Sequence, residues 1–111
     1  MNTPLRDRVP KVALAKAEAL GGRFKEARLL RNLTQEQVAE HIGISLNTLK
    51  RLERGDPSVS WGNMLILMDG YGMAYEVDGM MNPERDHVGR ELLRVRAGGK
   101  KPSTEYDPDF D

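Results

Sequence analysis

The chain is 111 residues long, 39% apolar and free of cysteine, which leaves room for one small domain with tails and excludes disulfides and thiolate metal sites. His41 and His87 are too far apart for paired-ligand spacing, no run approaches the roughly 18 apolar residues of a membrane span, and Met1 to Pro10 lacks a signal-peptide core. The net charge of zero hides a gradient: residues 1–60 carry 11 Lys and Arg against 7 Asp and Glu, and the remainder 6 against 10. No metal or cofactor is implied, and the expected setting is the cytoplasm, in association with the nucleoid.

In chain order, VPKVALAKAEAL from Val9 to Leu20 is built from good helix formers, and the Gly21-Gly22 pair that follows predicts a weakened or kinked helix. RFKEARLLRN resumes helical spacing with Phe24, Ala27 and Leu30. Thr34 is a natural N-cap with Gln37 three residues later, so a second helix is predicted over Gln35 to about His41, stopped by Gly43. Ser45 caps a third helix that ends at Gly55, where Asp56-Pro57 forbids continuation.

Ser60 opens a fourth helix, with Trp61, Met64, Leu65 and Met68 predicted as its buried stripe. A short helix near Ala74 to Met81 follows. After Asn82-Pro83, HVGRELLRVR predicts an amphipathic helix packing Val88, Leu92 and Val95. From Gly98 the chain is polar and Gly/Pro-punctuated, and a disordered acidic tail is expected.

Residues Gln35 to Arg54, QEQVAEHIGISLNTLKRLER, read as two short helices joined by a glycine-containing turn. Ala39 falls where the helices cross. Gly43 makes the turn, and Val38, Ile42, Ile44, Leu49 and Leu52 are the positions such a pair must bury. Ser45, Leu46, Asn47, Lys50, Arg51 and Arg54 stay outward, a face of donors and cations suited to a DNA major groove. Asn47 has the chemistry to pair with adenine, Arg51 with guanine, and Leu46 to touch a thymine methyl.

At LTQEQVAEHIGIS, the downstream RLERG and PSVSWGNMLILMDGYG, the sequence resembles the Cro/C1-type (XRE family) helix-turn-helix regulators, over roughly residues 20 to 72. The resemblance implies an all-α, lambda-repressor-like bundle of about five helices, here with an N-terminal helical extension over residues 1–19. It also implies that Gln35, Thr48 and Arg54 hold phosphates of a double-stranded DNA operator, while Leu46, Asn47, Lys50 and Arg51 approach base edges. Arg28 and Glu53 take the places of that family's structural ion pair.

The following segment, GYGMAYEVDGMMNPERDHVGRELLRVR, looks similar to the same region of small antitoxins of the HipB type. That likeness implies an autoregulating repressor with a kinase-fold toxin partner, the segment 73–97 serving as dimer or partner interface and 98–111 as the tail. Because one such module reads too little DNA, a homodimer spanning half-sites roughly 34 to 36 Å apart is expected. Two alternatives stay open: a phage-type repressor, and a protein-interaction or coactivator module with the same fold. Arg23, Lys25 and Arg31 fit either a phosphate-binding surface or plain solubility. No nucleophile with its base, paired carboxylates or phosphate loop supports an enzyme.

Overall fold

The computed structural model describes residues 3–99, which are helical throughout their ordered elements. Helix α1 (Leu5–Arg8) is followed by α2 (Lys11–Leu30), α3 (Gln35–Ile42), α4 (Leu46–Glu53) and α5 (Trp61–Gly70). Two short 3₁₀ turns, Ala74–Gly79 and Pro83–Arg85, lead to α6 (His87–Gly99). The chain separates into two compact units, one ending at Ala74 and one beginning at Tyr75. This is the all-α, helix-turn-helix bundle the sequence implied.

Helix α2 corrects the sequence reading. It runs unbroken through Gly21 and Gly22. The reason is tertiary. A Cβ on Gly21 would lie 2.6 Å from the Leu52 carbonyl oxygen and 2.7 Å from the Gly55 nitrogen, so the absent side chain lets α2 touch the backbone at the end of α4. Gly55, in the left-handed region at φ +81°, makes the reciprocal approach to the backbone of Ala17 and Glu18. Helix α2 ends where Asn32 takes φ 56°, a left-handed turn that asparagine tolerates.

The core of the first unit is formed by Phe24 and Ala27 of α2, Val38 and Ala39 of α3, Ile44 of the turn, Leu49 and Leu52 of α4, and Leu67, Met68 and Tyr71 around α5. Ile42 is half-buried, its Cδ1 filling the space that a side chain on Gly70 would need. Leu30 is 83% exposed and Trp61 70% exposed, so neither belongs to the core as expected. The buried stripe of α5 has the predicted period but starts three residues later, at half-buried Met64, and continues through Leu67, Met68 and Tyr71. Arg31, left open by the sequence, pins two helix ends together: its guanidinium donates to the carbonyls of Ala27 and Tyr71 at 2.9 and 2.7 Å and lies 5.1 Å from the Tyr71 ring centre.

In the second unit Asn82 caps the turn at Pro83, and the Asp86 carboxylate accepts from the Gly89 amide at 2.8 Å to open α6. Arg90 donates to the Pro83 carbonyl, and Arg94 pairs with Glu91 within α6. Val88, Leu92 and Val95, expected to pack, are each more than half exposed. Helix α6 continues through Gly99, past the residue expected to open a tail; the rest of that tail lies outside the described residues. Among the described residues no helix is long and apolar enough to cross a membrane.

Candidate nucleic-acid interface

Helices α3 and α4 are each closed by their own local chemistry. The Thr34 hydroxyl accepts from the Gln37 amide at 3.0 Å while the Gln37 side chain accepts from the Thr34 amide at 2.9 Å, a reciprocal capping box. Gly43 ends α3 at φ +88°, where a Cβ would be strained. Two residues later the Ser45 hydroxyl accepts from the Thr48 amide at 2.9 Å and starts α4. These caps close the turn locally, and Ile44 within it is buried in the core.

Behind α4 lies a buried ion pair. Arg28 on α2 donates to Glu53 through Nε at 2.7 Å and Nη2 at 3.1 Å, and its Nη1 donates to the Leu33 carbonyl at 2.9 Å. The Gln35 amide adds a hydrogen bond to Glu53 at 3.0 Å. With side chains only 8% and 3% exposed, the pair is isolated from water, and the bond to Glu53 raises the Arg28 pKa above its ordinary value. These bonds join α2, the start of α3 and the last turn of α4. Gln35, expected at a phosphate, thus turns one amide hydrogen inward, leaving the other and its carbonyl oxygen for any outward contact.

The opposite side of α4 is polar. Ser45, Asn47 and Arg54 are exposed, while Leu46, Thr48, Lys50 and Arg51 are half-buried. Asn47 and Arg51, four residues apart, share one helix face. The Thr48 hydroxyl accepts from Ser45 at 2.7 Å, which leaves its own hydrogen available to a phosphate oxygen.

Arg51 is not free in space. Its Nε donates to the Asp56 carboxylate at 2.9 Å and its Nη2 to the Ser58 hydroxyl at 2.5 Å. Asp56 in turn accepts from the Ser58 amide at 2.9 Å and hydroxyl at 2.7 Å. Ser58 and then Arg51 hold the Asp56 carboxyl at about 2, well below its ordinary 3.8. The sequence reading used Asp56 only as a helix stop; the Asp-Pro-Ser spacing, typical of a side chain capping its own turn, was the signal available for this role. An open groove beside it, lined by Leu5, Arg6, Arg54, Asp56 and Ser58, brings a cation of α1 to the end of α4. Arg6 is itself paired with Glu18 at 3.1 Å.

Two short helices at a tight turn, the second locked from behind and polar in front, define a DNA-binding regulator of the helix-turn-helix class. The helix-turn-helix domain family matches residues 19–78, more than half of the chain, and the chain belongs to that family. This bears out the resemblance to Cro/C1-type regulators. Antitoxin PezA of Streptococcus pneumoniae serotype 4 is 35% identical over 72 residues, covering 61% of this chain and 46% of its own length. The chain thus spans about half the length of that relative.

Proposed function

We propose that this chain is a sequence-specific repressor that binds a double-stranded operator as a homodimer and acts as the antitoxin of a toxin-antitoxin operon, repressing its own promoter. The observation that carries the DNA-reading part is the disposition of α4: Leu49, Leu52 and Glu53 are buried against the bundle, so Asn47 and Arg51 face outward together. Asn47, Arg51, Leu46 and Lys50 approach base edges, and Gln35, Thr48, Ser45 and Arg54 hold the phosphates that set register. Arg28 and Glu53 serve structure alone.

The likeness to an antitoxin supports the operon setting, and the stretch ERDHVGREL supports a kinase-fold toxin as the partner. Residues 20–72 act as the DNA-binding domain, residues 1–19 as its extension and residues 73–97 as the dimer or partner interface. Exposed Val88, Leu92, Leu93 and Val95 on α6 support the last assignment.

Fluorescence anisotropy on duplex DNA from the gene's own upstream region tests the reading. Asn47→Ala and Arg51→Ala should each weaken specific binding roughly five- to 100-fold while barely changing binding to unrelated duplex. Affinity and salt dependence indistinguishable from wild type in both variants would remove α4 from the DNA and overturn the function.

A further inference from the structure

We propose that Asp56 and Ser58 are positioning residues for base recognition: together they clamp one edge of the Arg51 guanidinium and present its other edge to a guanine. This inference rests on the DNA-reading role proposed above and adds to it two residues outside the recognition helix.

The N–H groups of Arg51 are the donors at issue. A guanidinium is planar and carries five of them: Nε and one hydrogen of Nη2 form a side edge, the second hydrogen of Nη2 and one of Nη1 form an end edge, and the last hydrogen of Nη1 lies on the side of the stem. In this chain the side edge is fully used, by Asp56 at Nε and Ser58 at Nη2. Two bonds along one edge fix the plane as well as the position of the group. The end edge then points away from the clamp with two parallel N–H groups, the pattern that guanine O6 and N7 accept in the major groove.

The clamp is itself held rigidly. Ser58 Oγ accepts from Arg51 while donating to Asp56 Oδ1, and the Ser58 amide donates to the same oxygen. The Asp56 amide donates to the Arg51 carbonyl at 3.0 Å, so the loop and the end of α4 are joined through backbone as well as side chain. No hydroxyl or carboxylate in the ring is left to rotate. An arginine on a free four-bond stem loses rotamer freedom when it meets a base; this one has lost it already.

Charge gives the idea a distinctive signature. Asp56 places a carboxylate beside the DNA-facing surface, which weakens attraction to phosphates of any sequence. A clamp for base reading therefore trades general affinity for discrimination. A purely structural loop contact predicts no such trade, and a contact that sequesters Arg51 predicts the reverse for specific binding.

The experiment uses the full chain and two duplexes of its upstream site, one natural and one with 7-deazaguanine, which lacks the N7 acceptor, at the guanine that loses its effect in Arg51→Ala. Asp56→Ala and the milder Ser58→Ala should each reduce the preference for guanine over 7-deazaguanine about tenfold, within the range of one bidentate contact. Binding to unrelated duplex should be stronger for Asp56→Ala. In an Arg51→Ala background, Asp56→Ala should produce no further loss of preference.

Circular dichroism of each variant establishes that it is folded. Guanine preference retained in both folded variants overturns the clamp while leaving the DNA-reading function intact, as does tighter specific binding with full preference in Asp56→Ala. Wild-type protein that distinguishes no site from unrelated duplex removes the function and the clamp together.

Discussion

Replacing Gly21 by alanine separates local propensity from tertiary geometry, because the two predict opposite signs. Gly21 lies inside α2, where alanine is intrinsically better than glycine by about 0.8 to 1 kcal/mol. The new Cβ, however, would meet the Leu52 carbonyl oxygen at 2.6 Å, the Gly55 nitrogen at 2.7 Å and the Glu53 carbonyl oxygen at 2.8 Å. All three are backbone atoms, so no rotamer change relieves the overlap. Helices α2 and α4 must part by several tenths of an ångström, loosening Leu49 and Leu52. Overpacking of this kind costs about 1 to 3 kcal/mol and more when backbone must move, so a net destabilisation of about 2 kcal/mol is expected. With a urea m-value of about 1 to 3 kcal/mol/M, the midpoint should fall by about 1 M. Gly22 is the internal control: nothing lies within 4 Å of its Cβ position, and Gly22→Ala should raise stability by about 0.5 to 1 kcal/mol. If urea unfolding shows Gly21→Ala as stable as wild type, or moves both variants in the same direction, the glycine crossing is not what holds the helices at this distance.

Three further outcomes follow from the same geometry. Arg28→Met strands the Glu53 carboxylate in a site 3% exposed and should cost about 3 to 5 kcal/mol, whereas the double replacement Arg28→Met with Glu53→Leu should cost much less than those two single changes added; thermal and urea melts of wild type, the two single variants and the double check this, and additivity would refute it. Asp56 has a lowered pKa of about 2, so its contribution is fully present above its ordinary value of 3.8 and is lost as pH falls toward 2. Its side chain is 30% exposed, and screening reduces that contribution to about 1 kcal/mol; Asp56→Asn should therefore be less stable than wild type at pH 7 by that amount and nearly equal near pH 2. Exposed Arg54→Ala should weaken binding to all duplexes alike and flatten the slope of log affinity against log salt by about 0.9, the release of one phosphate's counterions; a slope unchanged within error would place Arg54 off the DNA.

The parts of the fold legible in the sequence are those whose causes are local. Thr34 with Gln37, Gly43 at its positive φ and Ser45 each act within three residues, and they placed α3, the turn and α4. Buried Val38, Leu49 and Leu52 were legible because helical period assigns each to the inner side of its helix, and Ile44 because the turn between two crossing helices must bury it. What was missed depends on partners far along the chain. Gly21 reads as a weak point until Gly55 is known to cross it, and a kink inferred from propensity becomes a continuous helix. Trp61 satisfied the period of α5, yet only the packing of Leu67 and Tyr71 shows which turn of that helix reaches the core. At the candidate interface, residue type marked Arg51 as a candidate base reader, but not that Asp56 and Ser58 take two of its five N–H donors.

Two devices set helix α4, and they govern different coordinates. The glycine crossing fixes how closely the C-terminal end of α4 approaches α2, since any side chain at Gly21 or Gly55 would force the backbones apart. Rotation is restrained by buried Leu49 and Leu52 together with Glu53, whose two carboxylate oxygens are claimed by Arg28 and Gln35 from neighbouring elements. Glu53 and Arg51 are two positions apart and so do not share a face of α4. Holding the first inward therefore holds the second outward, toward the Asp56 loop. The buried ion pair need not add net stability to be useful here; its directionality, which an apolar pair of the same volume lacks, adds to the burial of Leu49 and Leu52 in keeping Asn47 and Arg51 pointing out of the bundle.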